Sequence, residues 1–238
     1  IFPAAGSARR LRPLTNAIPK SLLHINNKPV IEHQLNCIPV EYIKKIVIIL
    51  GFNGNMIKKF IQSLNLQFPV KYYYNENYRI TNCAYSLMKA KKELLEGSLI
   101  INCDLLFRKE NIENMVSNNL QNIVNVRKNN NYNTNLQDVF IENNKIVDWS
   151  LNLKNANAEV MGPLKISQKA AKEIIYFYEL QSSDVRLKMH CFSLISKCIT
   201  KIKFHPIYVD DNGWCEIDTI KDLKNARSFF ITNKISNK

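Results

Sequence analysis

The chain has 238 residues, of which 46% are hydrophobic and 22% are charged, and its formal net charge is +13 at pH 7. This length suits one sizeable domain, or one domain with a subdomain, and the hydrophobic share excludes a disordered chain. Because no apolar run approaches the roughly 20 residues of a bilayer span, we expect neither a membrane span nor a signal peptide.

The excess of positive charge suits an acidic partner such as a nucleotide, a phosphorylated small molecule, a nucleic acid or an anionic lipid. The lysines are spread over many segments without a long basic run, which favours small anions over nucleic acid. The cysteines form no C-x-x-C pair and lack metal-ligand spacing, so we expect free thiols in a reducing cytoplasm. Since Ile1 already lies in a predicted strand and is not Met, we expect residues upstream of it.

Residues 1–30 contain the first informative stretch. A short apolar run leads into a turn of small residues, Gly6, Ser7 and Ala8. Small residues let backbone N–H groups approach a phosphate closely and form an anion-binding concavity. Cations follow with no acid among them, namely Arg9, Arg10, Arg12 and Lys20. Taken alone, the stretch is equally compatible with a phosphate site and with a solvated basic loop.

Apolar patterning predicts strands and helices in alternation over the next part of the chain. The strands are expected at 45–51, 70–75 and 98–107, and the helices at 29–38, 55–64 and 81–95. Such a rhythm implies βαβ units and an α/β fold with a doubly wound, mostly parallel sheet. Ligands of such sheets bind beyond the carboxyl ends of the strands, where we expect Gly6, Asn75 and Asp104.

The rest of the chain is predicted to be more mixed. We expect helices at 110–117, 168–180, 183–195 and 219–233, and strands at 122–127, 138–142, 145–149, 159–167 and 204–209. Asn143 and Asn144 are a two-residue hairpin signal, and a turn is expected at 210–213. Residues 129–135 predict a polar, mobile loop. Neither a repeat nor a linker is evident, so 1–238 is interpreted as a single domain.

The order of residues in the first stretch resembles the signature A-A-G-x-G-[ST]-R-L-x-P-L-T-x-x-x-P-K. This signature is characteristic of the nucleotidyltransferase superfamily that activates sugar-1-phosphates and phosphocholine. The matching positions are Ala4, Ala5, Gly6, Arg10, Leu11, Pro13, Leu14, Thr15, Pro19 and Lys20. Ala8 replaces the second glycine, and Arg9 replaces a hydroxyl residue. Because alanine is comfortable only at negative φ, we expect a slightly re-shaped loop.

A second segment, 74–87, resembles the Y/F-N-x-x-Y-x-x-x-N-x-x-Y-S-L segment of the bacterial choline-phosphate cytidylyltransferase branch. Taken alone, it would predict only a strand, a polar turn and an amphipathic helix. The resemblance implies that it flanks the nucleotide base, with Asn75, Asn82 and Ser86 as candidate contacts. An amide suits this role because it can both donate to and accept from a pyrimidine edge.

Two acidic positions are candidate metal ligands. Asp104 follows a predicted buried strand, where a carboxylate is costly unless it is paired or binds a metal ion. Residues 214–223 resemble the family segment E-I-D-[ST]-x-x-D, and alternation puts Glu216 and Asp218 on one side of the chain. A helix N-cap or a salt bridge is the alternative for Asp104, and a helix cap is the alternative for Asp218. The resemblance implies that Asp104 and Asp218 hold Mg²⁺, together with phosphate oxygens.

The resemblance as a whole implies a Rossmann-like nucleotidyltransferase fold with a small acceptor-binding subdomain of a β-hairpin and a helix. The nucleotide-binding half would cover about 1–108, and the acceptor-binding half about 109–238. The implied nucleotide-binding residues are Ala4, Ala5, Gly6, Ser7, Ala8, Arg9, Arg10, Asn75, Asn82 and Ser86. Arg10, Lys20 and Asp104 are the implied catalytic residues. Lys20, Lys154 and Glu159 are assigned to the acceptor, although a plain surface lysine is an equal alternative for Lys154.

The implied reaction joins the CMP of CTP to a phosphorylated acceptor and releases pyrophosphate. Choline-branch members hold the quaternary ammonium with a Trp and an acid, and residues 186–192 contain neither. Phosphocholine is therefore in doubt. The extra basic residues suit an acceptor that carries a carboxylate, such as a phosphorylated amino acid or amide like phosphoglutamine, and a phosphocholine- or aminoethylphosphonate-like acceptor is the alternative. The implied role is capsule or cell-surface modification. The alternatives are a sugar-1-phosphate nucleotidyltransferase and an inactive nucleotide-binding homologue. A homodimer is left open.

Overall fold

The computed structural model describes residues 1–128, 136–210 and 213–235, with side chains described up to residue 228. The loop predicted at 129–135 and the middle of the turn predicted at 210–213 lie outside the described residues. Strands, numbered in chain order, are β1 (Phe2–Ala4), β2 (His24–Ile25), β3 (Lys28–Pro29), β4 (Ile46–Leu50), β5 (Val70–Tyr74), β6 (Ser98–Ile100), β7 (Leu105–Phe107), β8 (Ile123–Lys128), β9 (Asp138–Glu142), β10 (Lys145–Ser150), β11 (Ala158–Ile166), β12 (His205–Tyr208) and β13 (Trp214–Glu216).

The helices of the first half alternate with the strands as predicted, whereas three helices follow one another before the last two strands and one comes after the last strand. They are α1 (Val30–Asn36), α2 (Gly54–Ser63), α3 (Cys83–Lys89), α4 (Lys91–Leu94), α5 (Lys109–Ser117), α6 (Gln168–Glu179), α7 (Ser183–Lys188), α8 (Cys191–Ser196) and α9 (Ile220–Ile235). Within the described ranges, none of them combines the length and apolar character that a bilayer crossing requires.

The parallel sheet is built around β4. This strand pairs in parallel with β1 on one side and with β5 on the other. All of its residues are buried, which explains why the stretch is a continuous run of β-branched and aliphatic side chains. The N–H of Ile101 donates to the carbonyl of Ile1 at 3.0 Å, so the chain just after β6 lies beside β1. The predicted α/β fold with a parallel core is confirmed.

The second sheet is largely antiparallel. Its strands follow the order β10-β9-β11-β8-β12, and β6 also pairs with β11. β11 is antiparallel to β6, β8 and β9, whereas β12 is parallel to β8. The hairpin between β9 and β10 turns at Asn143 and Asn144, both at positive φ, as predicted. The antiparallel share of the fold is therefore larger than the sequence indicated.

Several predicted elements are interrupted. The strand predicted at 98–107 forms two strands, because the chain turns after β6 and β7 pairs instead with β13. The helix predicted at 81–95 divides at Ala90 into α3 and α4, and the one predicted at 183–195 divides between α7 and α8. Periodicity did not locate these breaks, and the first of them depends on pairing with β13, which is far away in the sequence.

Two apolar clusters hold the layers together. One lies between α1, α2 and the parallel sheet and includes Ile31, Ile48 and Ile57, all fully buried. The other packs α3, α6 and α8 against the second sheet, around residues such as Leu87 and Ile174. All six cysteines are free thiols, as predicted.

Candidate active site

A cavity of about 510 Å³ lies at the carboxyl end of β1. Residues of five parts of the chain line it: the first loop (Ala4, Ala5, Gly6, Ala8, Arg10, Lys20), the α3 region (Tyr78, Thr81, Asn82, Cys83, Ser86), the turn 102–104, the segment 190–193, and Glu216 with Asp218. Gln137, Leu151 and Val160 complete the side formed by the second sheet. Segments far apart in sequence therefore converge on one site.

The first loop keeps a left-handed residue at its centre. Ala8 has φ 45° and ψ 54°. The expectation that alanine would avoid positive φ here was wrong. The side chain of the buried Thr15 donates to the Ala8 carbonyl at 2.8 Å, and the N–H of Leu11 donates to the same oxygen at 3.1 Å. These bonds hold Ala8 in a conformation that costs alanine about 1 kcal/mol.

Two glycines explain the shape of this loop. A Cβ on Gly6 would meet nothing within 4 Å, so the space beside it is open to a ligand. A Cβ on Gly51 would lie 2.5 Å from the Ala5 carbonyl oxygen, so only glycine lets the end of β4 approach the loop. The N–H of Phe52 donates to that same carbonyl at 3.0 Å. The residues around Gly51 did not indicate this role, because the contact with Ala5 joins positions far apart in the chain.

Predicted cations and acids meet in one ion cluster. Lys20 Nζ lies 3.0 Å from Asp104 Oδ2 and 2.7 Å from Asp218 Oδ1. Arg10 Nη2 lies 2.6 Å from Asp218 Oδ2. Burial opposes the charge on Lys20, but the two carboxylates outweigh it and raise the pKa of Lys20. The lysine therefore stays charged, whereas the side chain of Arg10, 61% exposed, extends into the solvent.

Glu216 adds a third carboxylate. Oxygen atoms of Asp104, Glu216 and Asp218 lie within 4.8 Å of one another. Burial, followed by the charges of Asp104 and Asp218, raises the pKa of Glu216 to about 8. Asp104 Oδ1 is buried and has no hydrogen-bond partner among the described residues. Carboxylate oxygens are the donors that Mg²⁺ prefers, so this set fits a divalent ion.

Hydrogen bonds from α1 and from the chain after β13 hold the turn that carries Asp104. The buried Gln34 on α1 donates through Nε2 to the carbonyls of Asn102 and Leu105, each at 2.7 Å. The N–H of Ile217 donates to the Asp104 carbonyl at 2.9 Å. These bonds tie the turn between β6 and β7 to α1 and to the chain after β13.

Asp218 is free of the capping role that was its alternative. Thr219 and Asp222 cap α9 reciprocally: the Thr219 N–H donates to Asp222 Oδ2 at 2.7 Å, and the Asp222 N–H donates to Thr219 Oγ1 at 3.2 Å. The Asp218 carboxylate instead contacts Lys20 and Arg10 in the cavity.

The segment predicted to flank a base is organised by Asn75. This buried side chain donates through Nδ2 to Thr81 Oγ1 and to Ser86 Oγ, each at 2.9 Å, and accepts from the Asn77 N–H at 3.1 Å. Asn75 does not line the cavity, whereas Asn82 and Ser86 do. Asn82 caps α3 by accepting from the Cys83 N–H at 2.8 Å.

The remaining predicted residues lie outside the cavity lining. Lys154 is exposed in the turn between β10 and β11. Glu159 is buried in β11, and its Oε2 lies 2.7 Å from Arg127 Nε. Ser7 and Arg9 belong to the first loop, but neither contributes to the lining. The acceptor assignments of Lys154 and Glu159 stay predictions.

Comparison with known proteins gives the family. The model of the nucleotidyl transferase family matches residues 1–127. A CTP:phosphoglutamine cytidylyltransferase of Campylobacter jejuni is 24% identical over 94% of this chain and 97% of its own. A choline-phosphate cytidylyltransferase of Streptococcus pneumoniae is 35% identical over 45% of this chain and 45% of its own.

The fold has a counterpart among solved structures. The CTP:phosphocholine cytidylyltransferase of Streptococcus pneumoniae superposes with a TM-score of 0.78, at 22% identity, over 96% of both chains. At this identity the likeness bears on the fold alone.

Proposed function

This chain belongs to the nucleotidyl transferase family, and we propose that it is a cytidylyltransferase. It joins the CMP of CTP to a small phosphorylated acceptor and releases pyrophosphate. The observation that carries the proposal is the ion cluster, in which Lys20 bridges Asp104 and Asp218 beside the open space at Gly6. The named cytidylyltransferase relatives support CTP as the nucleotide.

The acceptor phosphate needs no general base. The second pKa of a phosphate monoester is about 6, so at neutral pH its oxygens are already largely deprotonated. Such an oxygen can attack the α-phosphorus directly, forming the new P–O bond as the bond to pyrophosphate breaks. What the protein must supply is in-line positioning and neutralisation of charge.

The cations of the site divide this task. In our proposal the first loop holds the triphosphate through backbone N–H groups over Gly6, where the structure leaves open space. Lys20, fixed and charged, neutralises the α-phosphate and the incoming phosphate. Arg10, more exposed, follows the charge that develops on the departing pyrophosphate.

The acids of the site would hold a divalent ion. Asp104 and Asp218, with Glu216 beside them, offer oxygens close enough together to share one ion. When bound, Mg²⁺ would screen the repulsion between the two reacting anions. With its raised pKa, Glu216 carries a proton at neutral pH that such an ion would displace.

We propose a phosphorylated amino acid or amide as the acceptor, phosphoglutamine being one of this kind. Among the described residues that line the cavity, the only carboxylates are those of the ion cluster, and no tryptophan is present. Capture of a quaternary ammonium favours a tryptophan face and an acid, so phosphocholine is less well supported. Gln137 and Ser193 offer amide and hydroxyl groups instead. The relative named for phosphoglutamine agrees with this choice. We propose that the reaction takes place in the cytoplasm and that its product serves the modification of the capsule or the cell surface.

A nucleotide and acceptor panel tests the proposal. The purified protein is incubated with CTP, UTP, GTP or dTTP, with phosphoglutamine, phosphocholine, aminoethylphosphonate or a sugar-1-phosphate, and with Mg²⁺ or EDTA. Pyrophosphate release and product mass are measured. We expect a CDP-linked product with CTP only, lost in EDTA and restored by Mg²⁺. An NDP-sugar would establish the sugar-1-phosphate alternative, and no product with any pair would support the inactive homologue.

A further inference from the structure

Two cysteines and a histidine form a cluster that the proposed reaction does not use. Cys83, His190 and Cys191 all line the cavity. Cys83 Sγ accepts from the Cys191 N–H at 3.0 Å, and it lies 3.7 Å from His190 Nδ1. Cys83 begins α3, and Cys191 begins α8. The three residues are hereafter called the thiol cluster.

The backbone holds the two cysteines together. The Asn82 N–H donates to the Leu187 carbonyl at 2.8 Å, and the Ala84 N–H donates to the Met189 carbonyl at 3.3 Å. These bonds flank Cys83 and keep the two segments side by side. Since an N–Cα bond is about 1.46 Å long, the Cα of Cys191 lies within about 4.5 Å of Cys83 Sγ. Little backbone movement is therefore needed to join the two sulfur atoms.

The two thiols are unequal. A hydrogen bond from the Cys191 thiol, together with His190 and the Cys191 N–H, outweighs burial and lowers the pKa of Cys83 well below its ordinary value. The same pairing, with burial, raises the pKa of Cys191. By contrast, burial raises the pKa of Cys198 to about 11. Because the thiolate is the nucleophilic form, Cys83 is the reactive member of the pair.

We propose that Cys83 and Cys191 are a peroxide-reactive thiol pair that closes to a disulfide in the cavity wall. The Cys83 sulfur attacks one oxygen of a peroxide, the O–O bond breaks, and a sulfenic acid and one water form. The Cys191 sulfur then attacks Cys83, the S–S bond forms, and the S–O bond breaks. The Cys191 proton leaves with the oxygen as a second water. Two thiols are thus oxidised by two electrons, and one peroxide is reduced.

Peptide mapping of the wild-type chain is the direct test. The fully reduced protein is treated with a few equivalents of hydrogen peroxide, and the remaining thiols are blocked with N-ethylmaleimide. We expect a loss of two hydrogen atoms in the intact mass, a peptide linked through Cys83 and Cys191, and full labelling of the other cysteines. Oxidation spread evenly over the cysteines, or Cys83 oxidised with Cys191 still labelled, would overturn the proposal.

Matched variants separate the two roles. Cys198→Ser removes another buried thiol and should react like the wild type. Cys83→Ser should leave Cys191 reduced at the same dose. Cys191→Ser should stop at a sulfenic acid that dimedone traps on Cys83. His190→Gln tests a positioning residue and should slow peroxide consumption about tenfold while the same linked peptide still forms. Circular dichroism melts show that each variant is folded, and equal rates in Cys83→Ser and wild type would contradict the scheme.

Discussion

The cavity has two walls of opposite character. The cationic wall carries Arg10 and Lys20, whose charges face the carboxylates of the ion cluster. The neutral wall, formed by Gln137, Leu151, Phe192 and Ser193, carries no formal charge. In the proposed reaction the fixed charges would act on the reacting phosphates, whereas the neutral side chains of the second wall would contact the rest of the acceptor. We therefore predict that the rate and the acceptor specificity can be altered separately by substitutions in the two walls.

The largest effect should come from the cationic wall. Lys20→Met keeps an unbranched side chain that is only one heavy atom shorter but removes the charge, so we expect kcat to fall about 10²- to 10³-fold, with a similar loss for Arg10→Ala. Steady-state kinetics with saturating CTP and Mg²⁺ measure this. Lys59→Met, at an exposed position of α2, is the control and should be neutral. Near-normal kcat in both cavity variants would end the proposed mechanism.

Substitutions in the neutral wall should change the KM for the acceptor rather than kcat. Gln137→Ala removes an amide that we assign to the acceptor, so the KM for the acceptor should rise about tenfold, with kcat and the KM for CTP little changed. Gln62→Ala, at an exposed position of α2, is the matched control. A fall in kcat without a change in acceptor KM would mean that the two walls are not separable.

The carboxylates beside the cationic wall should make the stability of the protein depend on pH when the metal is removed. The pKa of Glu216 is about 8 in the folded protein, above the ordinary 4.5. Its stabilising contribution is therefore complete below pH 4.5 and is lost as pH rises towards 8, by at most about 1.4 kcal/mol per pH unit. Urea unfolding in EDTA at several pH values should show this slope in the wild type and not in Glu216→Gln. If the free energy of unfolding changed with pH in the same way in both proteins, the raised pKa of Glu216 would be contradicted.

The smallest effect concerns the strain of the first loop. Ala8→Gly relieves the left-handed alanine but also loosens the unfolded chain, so we expect a net gain of about 0.5 kcal/mol or less. Ala17→Gly, at an exposed loop position where φ is not positive, should instead lower the stability. Thermal melts of the two variants beside the wild type give the comparison. A destabilised Ala8→Gly would show that the loop carries no strain.

The sequence predicted the cationic wall better than the site around it. The order of residues in the first stretch, which resembles the family signature, was enough to identify the first loop, Arg10 and Lys20. The periodicity of apolar residues was enough to predict the parallel core. The contacts that place the acids are non-local, since Gln34 and the pairing of β7 with β13 join segments far apart in sequence. Glu216 was noted on the side of Asp218 but was not assigned a role, because its proximity to Asp104 depends on that pairing.

The bridge from Lys20 to Asp104 and Asp218 bears on the order in which ligands arrive. A divalent ion at this site would compete with the ammonium group of Lys20, which already contacts two of the three carboxylates, those of Asp104 and Asp218. A bound triphosphate would remove this competition, because its phosphates would offer Lys20 and Arg10 a new counter-charge in place of the carboxylates. We therefore expect metal and nucleotide to enter as a complex, each binding weakly without the other, because the ion would take the carboxylates from the two cations while the phosphates replace them.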